Sequence, residues 1–383
     1  MTVELRPLGV FCNIACTYCY QQPQRDAGNV PKTWDIELMK AAIEAEGGPF
    51  ALFGGEPLLL PLTELETLWA WGLERFGENS VQTNGTIIRD AHITLFKRYK
   101  VHVGISMDGP GELNSVRSAG APGKTDAATA KSERAIGRLL EAGVTPSLIV
   151  TLHAVNARGE AIERMNSWFR HLDSLGVRSV RLHVMESEND TIRQTYGLTP
   201  QESIDAFGNF RRLEKTLPTL RFDVFREMRH MLLGEDDQAS CVWTGCDPYT
   251  TQAVRGVEGL GQRSNCGRTN KDGVDFVKSD RAGFERYVAL YHVDQADGGC
   301  AGCRFFLMCK GYCPGTSLEG DWRNRTEHCG LWMALFTDLE TELAAEGKTP
   351  LSLSANRSTL EQEMIAAWAS GRNPKLSTIR RPS

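Results

Sequence analysis

The chain carries eleven cysteines, and their spacing sorts them into three groups with none left over. Cys12, Cys16 and Cys19 read C-x3-C-x2-C. Cys241, Cys246 and Cys266 are more widely spaced, and Cys300, Cys303, Cys309 and Cys313 read C-x2-C-x5-C-x3-C, with Cys329 beyond them. Thiolates are soft ligands that suit iron–sulfur clusters and zinc. Three of them on one short loop can hold three irons of a [4Fe–4S] cube and leave the fourth iron open to a substrate or cofactor. The other eight are the number that two fully ligated cubes require. Zinc is the alternative throughout: a three-cysteine site with one further ligand for the first group, a pair of zinc ribbons for the rest. The C-x5-C-x3-C continuation is not typical of a zinc knuckle.

Other polar residues fall where chemistry could use them. His153, His183 and Glu186 close strand-like runs and are expected at the mouth of a barrel. Asp247 and Tyr249 sit between Cys246 and Cys266 and could assist proton or electron transfer, although Asp247-Pro248-Tyr249-Thr250-Thr251 also reads as a type I turn with Pro at its second position. Residues 268–273, beginning at Arg268, read either as a solvated turn or as a small basic site for a substrate carboxylate. Trp69 and Trp71, two apart on a helical pattern, cannot share a face, so at least one belongs to the core.

These residues need a scaffold, and the first 185 residues supply one. Apolar runs at 3–10, 50–53, 80–83, 101–106, 147–152 and 180–184 read as strands. Helical patterns lie between them at 34–46, with Thr33 as N-cap, and at 62–76, 90–99, 127–142 and 157–175. Such alternation predicts an α/β fold with a parallel sheet. Six strands are too few to close an eight-stranded barrel, so the expected form is an open, partial (β/α)6 TIM-like barrel. Chemistry in such folds collects at the C-terminal ends of the strands. Four segments are expected: the barrel at 1–185, a helical connector at 186–238, a Gly- and Cys-rich domain at 239–335, and C-terminal helices at 336–383, patterned at 331–347 and 358–370. The cysteine-rich segment shows little periodicity and is expected to lack a large apolar core, with metal sites holding it together.

Composition narrows the classes. Hydrophobic residues are 41% and charged residues 24% of the 383, ordinary for a globular protein. The formal charge of -5, from 43 basic and 48 acidic residues, excludes duplex nucleic acid and anionic membranes as expected partners. No apolar stretch reaches about 18 residues, and the start lacks a signal-peptide pattern. A cytoplasmic protein is expected, and clustered cysteines in a reducing compartment are metal ligands more often than disulfides.

Taken in order, the motifs resemble the radical S-adenosylmethionine (SAM) superfamily. Cys12, Cys16 and Cys19 match its cluster loop, with aromatic Tyr18 before the third cysteine. Gly54-Gly55-Glu56-Pro57 follows the second strand, Gln82-Thr83-Asn84-Gly85 ends the third, and Ser106-Met107-Asp108-Gly109-Pro110 ends the fourth. The resemblance covers the first 185 residues. It implies that Tyr18, Gly54, Gly55, Glu56, Pro57, Asn84, Ser106 and Arg117 bind SAM, with the glycines letting the backbone approach the ligand closely. It also implies reductive cleavage of SAM to methionine and a 5′-deoxyadenosyl radical that removes hydrogen from an unactivated carbon.

The later cysteines are similar to the SPASM domain, a two-cluster extension found on peptide-modifying members. The implied ligands are Cys241, Cys246, Cys266 and Cys313 for one auxiliary cluster and Cys300, Cys303, Cys309 and Cys329 for the other. That makes three [4Fe–4S] clusters with SAM as cofactors. Cys241 lies outside the core motif, and without it the inner cluster would have an open iron. In the sulfatase-maturating branch an aspartate base follows the third upstream cysteine, whereas this chain has Gly267 and then Arg268. The implied function is modification of a ribosomally made precursor peptide by crosslinking, oxidation or excision, with Asp247, Tyr249, Glu186 and His183 as candidate catalytic residues. The implied partners are that peptide, a separate leader-binding protein or else the barrel mouth and C-terminal helices for leader recognition, and a flavodoxin- or ferredoxin-type reductant. A radical enzyme acting on a small molecule and a non-catalytic electron-transfer or zinc-binding protein are the alternatives.

Overall fold

The computed structural model describes residues 2–28, 33–187, 189–246, 255–269 and 283–379. The chain divides into two compact units, one of Met1–Asp223 with Arg255–Asp275, the other of Val224–Val254 with Phe276–Ser383. The first unit is built on strands β1 (Val3–Arg6), β2 (Phe50–Leu52), β3 (Asn79–Thr83), β4 (Val101–Ser106), β5 (Ser147–Leu152), β6 (Ser179–Val184), β7 (Arg221–Phe222), β8 (Arg255–Glu258) and β9 (Arg263–Ser264). They form one sheet in the order β7-β6-β5-β4-β3-β2-β1-β8-β9. Every neighbouring pair is parallel except the β8–β9 hairpin. Helices Ile36–Glu46, Leu62–Phe76, Asp90–Arg98, Pro122–Glu141 and Ala161–Ser174 connect the first six strands, as parallel pairing demands.

The sheet is open, because β7 and β9 stand at its two ends. It is also curled. Four strands separate β1 from β6, yet Tyr18, Cys19 and Tyr20 beyond β1 and Glu186, Asn189 and Ile192 beyond β6 line a common cleft. The α/β architecture with a mostly parallel sheet is therefore as expected. On β5 and β6 alternate residues are buried (Leu148, Val150 and Leu152; Val180, Leu182 and Val184), the period-2 pattern of strands with two different faces.

Several details differ from expectation. Three further strands extend the six. β7 and β9 are two residues each and β8 reads Arg-Gly-Val-Glu, too short and too polar to show a strand pattern. β8 pairs with β1, Val3 opposite Arg255, so residues 255–269 belong with the barrel and not with the cysteine-rich segment. β1 stops at Arg6 instead of residue 10, where Pro7 has no N–H to donate and Gly9 turns the chain at φ +51°. The helix Ile36–Glu46 is capped by Asp35 and not by Thr33. The Asp35 carboxylate accepts from Glu37 N–H (2.9 Å) and Leu38 N–H (3.0 Å). Trp69 is fully buried against Phe96, while Trp71 is half-buried over Phe50.

The second unit contradicts the expectation that the cysteine-rich segment lacks an apolar core. Trp243 meets Tyr312 (5.3 Å), Phe336 (5.9 Å) and Trp332 (6.3 Å) edge-on, and Tyr312 stacks on Trp332 at 4.1 Å. Phe305, Phe306, Trp332 and Phe336 are buried. Helix Cys329–Ala345 begins at a cysteine and continues into the C-terminal region, so the two expected segments share one core. Sequence periodicity missed this core because Trp243, Phe305, Phe306 and Tyr312 lie in loops and short turns, where no period applies, and only Trp332 and Phe336 come from a long helix.

The cap assignment is directly checkable. Asp35→Ala should lower the unfolding free energy by about 1 kcal/mol in denaturant titrations, whereas Thr33→Ala should leave the midpoint unchanged.

Candidate active site and metal centres

The first three cysteines follow β1 on a segment without regular structure between residues 7 and 20. Two neighbours hold it in place. Ala15 N–H and Thr17 N–H donate to the carbonyls of Ser118 (2.8 Å) and Val116 (2.9 Å), beyond β4. From beyond β2, Gly55 N–H and Glu56 N–H donate to the carbonyls of Gly9 (2.9 Å) and Phe11 (2.8 Å). A Cβ on Gly55 would overlap the Phe11 carbonyl. One on Gly54, at φ +113°, would overlap that of Gly9. Both positions therefore require glycine to seat the cysteine loop. Cys16 is buried, and Cys12 and Cys19 are partly exposed. Burial pushes the Cys16 thiol up to about 12.

Glu56 and Asn84 brace the same loop. Glu56 is fully buried. It accepts from the Thr83 hydroxyl (2.7 Å), Leu58 N–H (3.1 Å) and Asn84 N–H (2.8 Å), joining the ends of β2 and β3. Burial raises its pKa to about 7 in spite of these donors. The Asn84 amide donates to Asn13 Oδ1 (2.9 Å) and lies 3.7 Å from Cys12 Sγ. Pro57 starts a single 3-10 turn, and the Ser106 hydroxyl accepts from Gln82 Nε2 at 2.8 Å.

Past β4, a buried charged network faces the loop. Asp108 is fully buried. It accepts from the Tyr18 hydroxyl and from Thr151 N–H (2.9 Å), with Arg117 Nη1 at 3.9 Å and His153 Nε2 at 3.6 Å. Arg117 also donates to the Tyr18 oxygen at 2.9 Å. Burial alone would raise the carboxyl pKa, but Arg117, His153 and Tyr18 hold it below the ordinary range. Burial works against the Arg117 charge too, and the groups around it, Cys16, Tyr18 and Asp108, hold its pKa well above the usual value. Val155 N–H donates to His153 Nδ1 (3.3 Å), which assigns the ring proton to Nε2, on the Asp108 side. Asp108 had no role in the sequence reading although it stands inside the Ser-Met-Asp-Gly-Pro motif. That placement was the available signal.

Beyond β6, Glu186 is 7% exposed and forms a two-pronged ion pair with Arg268, including Arg268 Nε to Oε2 at 3.2 Å. It lines a cleft of about 140 Å³ together with Tyr18, Cys19, Tyr20, Asp26 and Asn189. His183 is half-buried, and burial with Arg268 and Arg181 lowers its pKa well below the ordinary value, so the ring is neutral. A Cβ on Gly267 would press on the Tyr20 ring, with Arg6 Nη1 and Gln21 Nε2 close behind, so a side chain there would require these three to shift. Asp247 and Tyr249 lie outside the described residues.

In the second unit Cys300, Cys303, Cys309 and Cys329 line one cavity, walled by Phe305, Phe306, Trp332, Met333 and Phe336. Burial pushes the Cys300 thiol up to about 12, with Cys303 and Cys329 adding to it, and burial likewise raises Cys309, helped by Cys300, Cys329 and Cys303. Among the described residues, no three His, Cys, Asp or Glu side chains converge as a single-ion site. Four thiols spread around an apolar cavity are instead the donor set of a cubane cluster, and the residues fit one. Lys310, Gly311 and Tyr312 are left-handed in succession (φ +52°, +72° and +58°), which turns the chain sharply between Cys309 and Cys313. Cys241 is also left-handed (φ +53°), and Cys246 and Cys313 are buried. Cys266 belongs to the first unit.

The Glu56 carboxyl gives a pH test. Its folded pKa of about 7 lies above the ordinary 4.5, so folding favours the protonated acid. That contribution is complete below the ordinary value and is lost as pH rises through about 7. Glu56→Gln cannot ionise, so thermal melts of SAM-free protein between pH 5 and pH 8 should fall less in the variant than in wild type. Equal slopes would refute the assignment.

Residues 7–172 match the radical SAM superfamily. The chain is 31% identical over 221 residues to the serine-type anaerobic sulfatase-maturating enzyme of Klebsiella aerogenes, covering 54% of this chain and 51% of that protein. It is 34% identical over 132 residues to the cysteine-type enzyme of Clostridium perfringens, covering 30% and 35%. The chain thus spans about half the length, or less, of these relatives. Among solved structures, native anSMEcpe with bound AdoMet and the Kp18Cys peptide superposes with a TM-score of 0.71 at 21% identity, covering 90% of this chain and 98% of that one. Streptococcus suis SuiB bound to S-adenosylmethionine gives 0.55 at 12% identity, covering 86% and 74%. At such identities the structural likeness concerns the fold. The cysteine loop, the strand-end motifs and the sequence match together make residues 7–172 a radical SAM domain, homologous to that of the anaerobic sulfatase-maturating enzymes.

Proposed function

We propose that this chain is a radical SAM enzyme that modifies a peptide, with two auxiliary clusters in a SPASM-type extension. The observation that carries the reading is the placement of the C-x3-C-x2-C loop. It lies at the C-terminal mouth of a curled parallel sheet, clamped by Gly54 and Gly55 and faced by Tyr18, Arg117 and Asp108. Cys12, Cys16 and Cys19 hold the first cluster. When bound, that cluster and SAM supply a 5′-deoxyadenosyl radical that abstracts hydrogen from the substrate.

The chain's own residues divide the remaining work. Arg117 presents a permanently charged guanidinium to a carboxylate, fixed in direction by Tyr18 and Asp108. Gly54, Gly55, Glu56 and Pro57 set the shape of the SAM-binding edge, with Asn84 and Ser106 on the neighbouring strand ends. Glu186, at the cleft, is the proposed proton acceptor once substrate draws Arg268 away, with neutral His183 as a second base. Asp247 and Tyr249 follow Cys246 in sequence and are the further candidates. Cys300, Cys303, Cys309 and Cys329 would hold one auxiliary cluster and Cys241, Cys246, Cys266 and Cys313 the other, and such clusters would supply redox capacity for the oxidation of a substrate.

The anSMEcpe and SuiB structures include complexes with peptides, which favours a peptide over a small molecule as substrate. Gly267, crowded by the Tyr20, Arg6 and Gln21 side chains, departs from the sulfatase-maturating pattern and favours a different peptide product. A flavodoxin- or ferredoxin-type reductant and a leader-binding protein complete the proposed partners. No helix among the described residues is long and apolar enough to cross a membrane, and clustered free thiols suit a reducing cytoplasm.

Anaerobically reconstituted protein should contain about twelve irons per chain and cleave SAM under dithionite. Cys16→Ala should reduce cleavage to background, and Cys300→Ala should lose about four irons while keeping SAM cleavage. Mass spectrometry of a short peptide encoded beside this gene, after co-expression, should show a mass change, a loss of two hydrogens marking a crosslink or oxidation. An unmodified peptide together with turnover of a small metabolite would replace the peptide reading.

A further inference from the structure

Two arginines beside the four-cysteine cavity of the second unit meet no carboxylate among the described residues. Arg286, on helix Glu285–His292, is 1% exposed. Its hydrogen bonds all go to main-chain carbonyls: Nε to Trp322 (2.6 Å), Nη1 to Lys310 (3.2 Å), and Nη2 to Asn324 (3.0 Å) and Gly311 (3.5 Å). Arg325 lines the cavity itself. Its Nη1 donates to the carbonyls of Gln295 (2.6 Å) and Gly299 (3.0 Å), and its Nε is buried without a partner. Among the described residues, neither forms an ion pair with aspartate or glutamate. Arg304 of the same unit shows the ordinary arrangement, paired with Glu340 at 3.2 Å.

An uncompensated cation withdrawn from water is costly, and carbonyl dipoles repay only part of that cost; the cost is greatest for buried Arg286 and smaller for half-buried Arg325. The missing negative charge is therefore to be sought in the cavity. Both arginines act on the Cys300 sulfur, and Arg286 acts on that of Cys309 as well. Four thiolates around an oxidised, dicationic cube leave a dianion, which two guanidinium charges neutralise. One-electron reduction then adds a negative charge to a site already held by two positive ones.

We propose that Arg286 and Arg325 are the built-in counter-charges of a cluster on Cys300, Cys303, Cys309 and Cys329, and that they hold its reduction potential above the value it would have without them. The proposal rests on the reading of those cysteines as cluster ligands. Its physical basis is that nearby positive charge stabilises the reduced, more negative state. Arg286 fixes the charge through the carbonyls of the Lys310–Gly311 turn, while Arg325 brings its charge to the cavity wall, so the two contribute separately.

The test is an EPR-monitored redox titration of full-length, reconstituted protein, with iron counted in parallel. Arg325→Gln and Arg286→Gln should each move one cluster's midpoint to more negative potential at unchanged iron content, and Arg286→Lys should restore it. Neutral variants that keep their iron and the wild-type midpoint would overturn the proposal. So would loss of about four irons in both Arg286→Gln and Arg286→Lys combined with an unshifted Arg325→Gln, which would make Arg286 a purely structural brace. Failure of the underlying ligand reading looks different: Cys300→Ala would then retain its full iron complement.

Discussion

Close approach of two backbones organises the mouth of the barrel. Residues 54–56 lie against residues 9–11 with main-chain hydrogen bonds and no space for a side chain at Gly54 or Gly55. The cysteine loop follows immediately from that contact, and the loop's far side is tied by main-chain bonds to Val116 and Ser118. A loop fixed at both flanks by backbone needs little help from its own sequence, which leaves its side chains free to serve as ligands. The Glu56 carboxylate, the Asn84 amide and the Tyr18–Asp108–Arg117 network refine this arrangement. None of them creates it.

Much of this was readable in the sequence because parallel strands leave a continuous apolar signature and place their motifs at one end. The six principal strands and the glycine pair belong to that category. Features that depend on distant partners did not. Asp108 meets Tyr18 across 90 positions, and no local pattern marks a carboxylate as the hub of a buried network. The hairpin of β8 and β9 is too short for periodicity to show, and its place in the sheet is set by Arg6, which no strand propensity encodes. Asp35 displaced Thr33 as cap because helix starts are decided within one or two residues, the scale on which sequence patterns are least sharp. The aromatic core of the second unit was missed for a similar reason, since Trp243, Phe305 and Tyr312 sit in turns.

The two units handle buried charge differently. In the first, Arg117 and Asp108 neutralise each other within the protein, with Tyr18 between them, and the site is electrically complete as folded. In the second, Arg286 and the Nη1 of Arg325 donate to main-chain carbonyls, but among the described residues neither arginine meets a carboxylate. The first arrangement suits a site whose ligand comes and goes. The second suits a group that stays, because the unit carries an electrostatic deficit until that group is present.

Arg6 carries a consequence for how the protein is made. Its guanidinium pairs with Glu258 and Ser264 on the β8–β9 hairpin, partners more than 250 residues away in sequence. β1 is synthesised before both of its neighbours and gains β2 early, but its other edge stays unpaired until the hairpin has been synthesised. Throughout that interval the nascent chain presents a strand edge with a buried-type arginine and no counter-ion, beside a loop of three reactive thiols. An exposed edge of this kind recruits other strands. Slow elongation between residues 60 and 255 would therefore lengthen the time that this edge stays open to other strands.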